Sequence, residues 1–385
     1  MSFVGLTWDH PRGYDALAEA ARRVNAPLAE PLISWEKQPL EGFESAPLAD
    51  LAARYDLLVV DHPHMGEAVA ENCLIPLQDL FPEAQIAAWQ AESVGPSLSS
   101  YVWDKRIWAL PLDVACQVMA RRADLVDAPS SWEEVITIAE HHPVALSLAG
   151  PHAVLTLMSM AAGAGYWAEN DDFLPDEAAD AALQTMHRLY DLRPAGSEQL
   201  NPIGLLDTMA SGNDLALIPL IFGYVTYARE AYAAHLLTFS DSLRSAAKTA
   251  AGGALGGTGI AFSRRCQPSP QLLEYVADLM RPATQTGLFA KFGGQPSSRT
   301  AWSDAAVNAD TGNFYAQTRQ SAESAFLRPR FDGFIAFQSA ASARLRQALV
   351  TNENTQKTVS AIRALWQQAR ALARGDLDDD RGMDQ

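Results

Sequence analysis

YDLLVVDHPHMG, residues 55–66, is the stretch on which the fold turns. Four apolar residues, Leu57 to Val60, run without a break into Asp61, His62, Pro63 and His64. A short unbroken apolar run that stops at polar, turn-forming residues is the pattern of a strand covered on both faces. Helical spacing resumes at once in MGEAVAENC (65–73). Upstream, FVGLTW (3–8) is a second such strand, and a helix follows over 13–25 with Leu17, Ala20 and Ala21 on one face. PLISWEK (31–37) reads as another strand and PLADLAARY (47–55) as a short helix. This β-α-β-α-β order predicts an α/β layer with a parallel sheet.

Downstream, IWALPLDVACQVMARR (107–122) reads as two strands broken at Pro111. SSWEEVITIAEHH (130–142) reads as a helix with an N-cap serine and a Glu-rich first turn. Helices are expected over 153–167 and 180–192, and a strand over 214–225. AAGGALGGTGIAFSRR (250–265) is glycine-rich and then apolar. It lacks G-K-[ST], and its glycines precede the apolar run, so it is not a phosphate loop. Glycines ahead of a strand point instead to a bend where the chain passes between domains.

With 385 residues, 48% of them hydrophobic, the chain can build more than one domain. Its formal net charge of −17 repels phosphate backbones and anionic lipid, which argues against nucleic acid or a membrane surface as partner. Part of that charge lies in GDLDDDRGMDQ (375–385), and an acidic disordered tail is expected over 373–385. Cys73, Cys116 and Cys266 are far apart and form no C-x-x-C, so they read as free core thiols. No apolar stretch reaches the roughly 18 residues needed to span a bilayer. The opening MSFVGLTWDHPRGY has neither the basic nor the apolar region of a signal peptide. A cytoplasmic location is expected as written, and a periplasmic one if a leader precedes this sequence.

In open α/β sheets ligands bind beyond the carboxyl ends of the strands. Two polar clusters stand there. The first holds Trp8, Asp9, His10 and Arg12; the second holds Asp61, His62 and His64. Each also opens a helix, whose free N–H groups favour an anion or a polar oxygen. Both clusters are expected to face one cleft. Trp8 is either a stacking platform or core. Asp113, just past Pro111, is either a cleft acceptor or a helix cap. Phe222 reads as core, and Arg328 and Arg330 either face the cleft from the C-terminal segment or, as expected, lie on the surface. A second chemistry fits the same histidines: His10, His62 and His64 would supply three nitrogen ligands to an open zinc site, backed by Asp9 and Asp61.

In order and spacing, these segments resemble the family 1 extracellular solute-binding proteins of ATP-binding-cassette importers, the group that includes maltose-binding protein. The resemblance runs over about 3 to 370 and rests on five stretches. YDLLVVDHPHMGEAVAENCLIPLQDLF is similar to the family's strand, ligand loop, helix and -G-x-L-x-P-L segment. DKRIWALPLDVACQVMARRADL is similar to its G-K-x-Y-A-L-P crossing into the second lobe. APSSWEEVITIAE resembles its P-x-T-W-x-E-L helix. DLALIPLIFGYVTY falls where the family carries an aromatic ligand platform. GTGIAFSRR, a helix over 270–281 and GGQPSSRTAW resemble its return to the first lobe.

The resemblance implies a two-lobed, periplasmic-binding-protein-like α/β fold with hinge crossings and a central cleft. The lobes expected are 1–111 with 260–312, and 113–258 with 320–372. It places Tyr224 on the aromatic platform, and His152 of LAGPHAV where some sugar binders carry acids and aromatics. The function implied is capture of a small polar solute, a sugar, polyol or related oxygen-rich molecule, for an importer's permease subunits, by a monomer. At the residue level a carboxylate-bearing solute competes, because Arg12 is a fixed cation. No G-x-S-x-G, Walker loop or H-E-x-x-H appears, so no enzyme and no cofactor is expected. The alternative is a cytosolic sensor, or an enzyme using cleft His and Asp residues, on the same fold.

Overall fold

A computed structural model of the chain describes residues 2–169, 172–230, 232–246 and 250–375. The first lobe grows from the apolar runs. Strand β1 (Phe3–Trp8) lies between β2 (Ile33–Gln38) and β3 (Leu57–Val60), parallel to both. All four residues of β3 are buried, as a strand covered by helices on both faces requires. Helix α1 (Pro11–Asn25) turns Ala16, Leu17, Ala20 and Ala21 inward, the i, i+4 spacing of one helical face. It starts two residues before the expected helix, because His10 caps it and Pro11 suits its first turn.

Two strands of twelve residues organise the rest: β4 (Leu110–Arg121) and β6 (Gly252–Ser263). Each spans about 40 Å, enough to run through both lobes. They pair antiparallel from Leu255 opposite Cys116 to Ile260 opposite Leu110. At one end β6 joins β3, and at the other β4 joins β5 (Leu217–Phe222), in the order β2-β1-β3-β6-β4-β5. Ala325–Phe326 pairs with β6 as a third pass of the chain.

Two expectations are corrected here. Pro111 does not break a strand; it lies inside β4, where the ladder with β6 shifts register between Thr258 and Gly259 and no N–H is required of it. The glycines do not precede a strand; Gly252, Gly253, Gly256 and Gly257 lie within β6. Gly257 has φ +93°, and a Cβ there would stand 2.2 Å from the Asp113 carbonyl oxygen, so the close pairing of the crossing strands demands glycine.

The second lobe is helix-rich. All twelve residues of α2 (His152–Gly163) are buried, beneath α3 (Asp176–Leu192) and α5 (Phe334–Thr351), on which α6 (Thr355–Arg374) packs; α4 (Phe314–Glu323) lies against β4 and β6. Phe173, Phe331 and Phe337 set their rings around Trp366 at 5.0–5.5 Å, an aromatic core that pins α6. Helix α6 runs to Arg374 and ends on Gly375 at φ 72°, so Ala373 and Arg374 are helical, not part of a tail. The remainder of the expected tail lies outside the described residues. The three cysteines are buried and unpaired; burial pushes the Cys73 thiol up to about 11 and that of Cys266 to about 12, which leaves them inert. Among the described residues no helix is long and apolar enough to cross a membrane.

Candidate functional site

The start of α1 aims Arg12. His10 accepts the Arg12 N–H on Nδ1 at 3.1 Å and stacks on Trp8 with ring centroids 5.1 Å apart. So fixed, Arg12 enters the space between the lobes, where it is 5% exposed. Its Nε donates to Asp113 Oδ2 at 2.9 Å and its Nη2 to Asp113 Oδ1. Its Nη1 donates to the Gly223 carbonyl at 3.1 Å, and the guanidinium lies 4.8 Å from the centre of the Tyr224 ring. Burial alone would weaken the charge, but the Asp113 carboxylate outweighs it and raises the Arg12 pKa. Asp113 also accepts the Gln295 N–H at 3.2 Å. It is therefore neither a helix cap nor part of the cavity wall, but a buried strand residue that accepts from Arg12 and Gln295.

The loop after β3 forms a second pair. Asp61 accepts the His62 N–H at 2.8 Å, and Arg328 Nη2 donates to both of its oxygens, at 2.6 and 2.7 Å. Arg328 Nε donates to the Leu255 carbonyl of β6 at 3.0 Å. Burial opposes the Asp61 charge, yet Arg328 and His62 hold its carboxyl well below the usual range. Arg328 is 4% exposed, which corrects its surface assignment: apolar neighbours on both sides carry it inward, and Asp61 compensates its charge. Arg330 is half-buried, donating to the Ser99 and Ser100 carbonyls at 2.9 and 3.0 Å.

The H-P-H residues form one 3₁₀ turn, His62–His64, and part company there. His62 turns away from the cleft and meets the Tyr101 ring edge-on at 6.3 Å. Burial, then Arg328, lowers its pKa to about 4, so it is neutral. His64 faces the cavity with Nδ1 3.2 Å from Glu67 Oε2, and the other Glu67 oxygen accepts the Leu48 N–H at 2.9 Å.

Between the lobes lies a cavity of about 60 Å³. Of the residues singled out in the sequence, Trp8, Arg12, Asp61, His64, His152 and Tyr224 line it. Asp9, His10, His62 and Asp113 do not. Asp9 is exposed and pairs with Lys37 at 2.7 Å, and Asp113 stands behind Arg12. Tyr224 turns its ring to the cavity, whereas Tyr227, three residues on, donates its hydroxyl to Asp207 at 2.6 Å. Phe222, read as core, lines the cavity edge-on to His152 at 6.0 Å. Gln338, Thr258 and Phe43 are among the further lining residues that had not been singled out.

The three-histidine metal arrangement does not form. His10 is tied to Trp8 and Arg12, and His62 to Asp61 and Tyr101. Among the described residues no group of three or more His, Cys, Asp or Glu is placed to hold a metal. What the walls offer is flat aromatic faces beside forked cations, each already matched by a carboxylate. Such walls suit a polar molecule without net charge.

No known family's sequence pattern matches the chain, and neither does any curated protein sequence. Solved structures do match it, over nearly the whole of both chains. An ABC transporter solute-binding protein from Agrobacterium radiobacter K84 in complex with ribitol superposes with TM-score 0.77 at 16% identity, covering 98% of this chain and 99% of that one. Maltose-bound MalE3 of T. maritima gives 0.80 at 15%, covering 96% and 99%. UgpB from Mycobacterium tuberculosis with glycerophosphocholine gives 0.77 at 15%, covering 98% and 100%. The chain has the two-lobed periplasmic-binding-protein fold. At these identities the likeness extends to the fold alone.

Proposed function

We propose that this protein is the solute-binding component of an ATP-binding-cassette importer and that its solute is a neutral, hydroxyl-rich small molecule: a polyol or a monosaccharide. One observation carries the choice of solute. Both cations at the cavity are compensated, Arg12 by Asp113 and Arg328 by Asp61. A carboxylate would have to displace one of these buried pairs and leave an aspartate unpaired, which costs several kcal/mol. A hydroxyl can instead share the outer edges of the guanidinium and carboxylate groups, while a C–H face lies on Trp8, Phe222 or Tyr224.

Ribitol and D-mannitol are bound in two of the similarly folded transport proteins. An importer's binding protein works on the outer side of the membrane, and fractionation of the native cells tests that part of the reading.

A thermal-shift screen of pentitols, hexitols, monosaccharides, disaccharides and small organic acids tests the solute class. Stabilisation by a polyol or monosaccharide, and not by organic acids, is expected. Stabilisation by organic acids alone overturns the reading.

A further inference from the structure

The charged groups of the cavity bind one another, so selection among neutral solutes falls to a side chain with bonding capacity to spare. Gln338 stands on α5, one turn after Phe334, and lines the cavity from the second lobe. It is 4% exposed, and its Oε1 has no hydrogen-bond partner. A buried amide oxygen left unsatisfied destabilises the fold, so the position is costly unless something donates to it. A hydroxyl donates; a carboxylate and an ether oxygen do not.

We infer that Gln338 is a specificity-determining residue, whose amide oxygen accepts a hydrogen bond from one hydroxyl of the bound solute. The inference rests on the neutral-polyol reading above and deepens it. Helix α5 packs mainly on α2 and α6 and also touches the His62–His64 turn, so it brings Gln338 to the cavity that Trp8, Arg12 and Asp61 line. A site that hydrogen-bonds a hydroxyl rejects the analogue lacking it, since the buried acceptor is then left bare.

The test compares the wild type with Gln338→Met, which keeps length and removes the acceptor, and Gln338→Glu, which keeps an acceptor oxygen. Calorimetry is run with the best polyol or monosaccharide from the panel and with its monodeoxy analogues. Wild type should prefer the parent over one analogue by about tenfold or more. In Gln338→Met that ratio should collapse towards one, through weaker binding of the parent, while the melting temperature without solute holds or rises. Gln338→Glu should retain more of the discrimination than Gln338→Met. A ratio unchanged in Gln338→Met overturns the inference and leaves the solute class standing. Failure of the wild type to bind any panel member overturns both.

Discussion

The Arg12 guanidinium grips both oxygens of Asp113 and, with its remaining nitrogen, the Gly223 carbonyl. One side chain thereby joins three parts of the molecule: the start of α1 in the first lobe, the crossing strand β4, and the end of β5 in the second lobe. Both partners are about 95% buried, so neither charge has water to fall back on. Arg12→Ala strands a buried carboxylate and should cost about 3–5 kcal/mol in a urea titration. It should also swell the radius of gyration, because the Gly223 link between lobes is lost. Wild-type stability and compactness in this variant would reduce the pair to decoration.

The Asp61–Arg328 pair sets the charge of the cavity. Asp61→Asn leaves Arg328 without a counter-charge, so the folded protein should weaken and its preference should move towards anions. The readout is the melting temperature with and without small dicarboxylates: the variant should gain stability from them and the wild type should not. An anion response equal in both proteins would mean that Asp61 does not set selectivity.

His62 and His64 separate the site from its support. His64→Ala removes a polar lining group and should weaken solute binding by about 0.5–1.5 kcal/mol. His62→Ala should keep the affinity within about threefold but lower stability, since the ring fills the space against Tyr101. Titration calorimetry beside thermal melts distinguishes the two roles, and equal loss of affinity in both would contradict the geometry.

Burial, with Arg12 next in weight, lowers the pKa of His10 to about 4; burial and Arg328 do the same for His62. Both rings are neutral in the folded state, while the unfolded chain takes up protons on them below about pH 6.5. The stabilisation is thus complete above about pH 6.5 and is lost as pH falls towards 4, by on the order of 3 kcal/mol per ring. Urea midpoints should drop over that interval and be less sensitive to pH in the double variant His10→Gln, His62→Gln. Between about pH 6 and 8 neither ring changes charge, so neither should make solute affinity depend on pH. The same pH slope in the double variant would refute the assignment.

Much of the first lobe was legible because burial on both faces leaves an unbroken apolar run, as in Leu57–Val60, and the polar break after it marks the sheet edge where ligands bind. The two crossings were read as crossings but not as unbroken twelve-residue strands, because their extent is set by pairing between segments about 140 residues apart, which local pattern does not report. Gly256 and Gly257 looked like a bend for the same reason: the partner backbone that requires them lies elsewhere in the chain. Within the site, Trp8, Arg12, Asp61 and His64 were legible from their place at strand ends. Arg328 was not, since its burial depends on Asp61, 267 residues earlier. Gln338 looks like any polar position on a helix until the fold turns it towards the cavity.

Isothermal titration calorimetry of the wild-type protein with the leading polyol or monosaccharide from the thermal screen asks whether the interlobe cavity takes one neutral, hydroxyl-rich solute. Saturable binding of one molecule per chain is expected, little changed between 50 and 500 mM salt (about a tenfold span), because no net charge is matched across the site. Binding only of organic acids, weakening steeply as salt is raised, would contradict it.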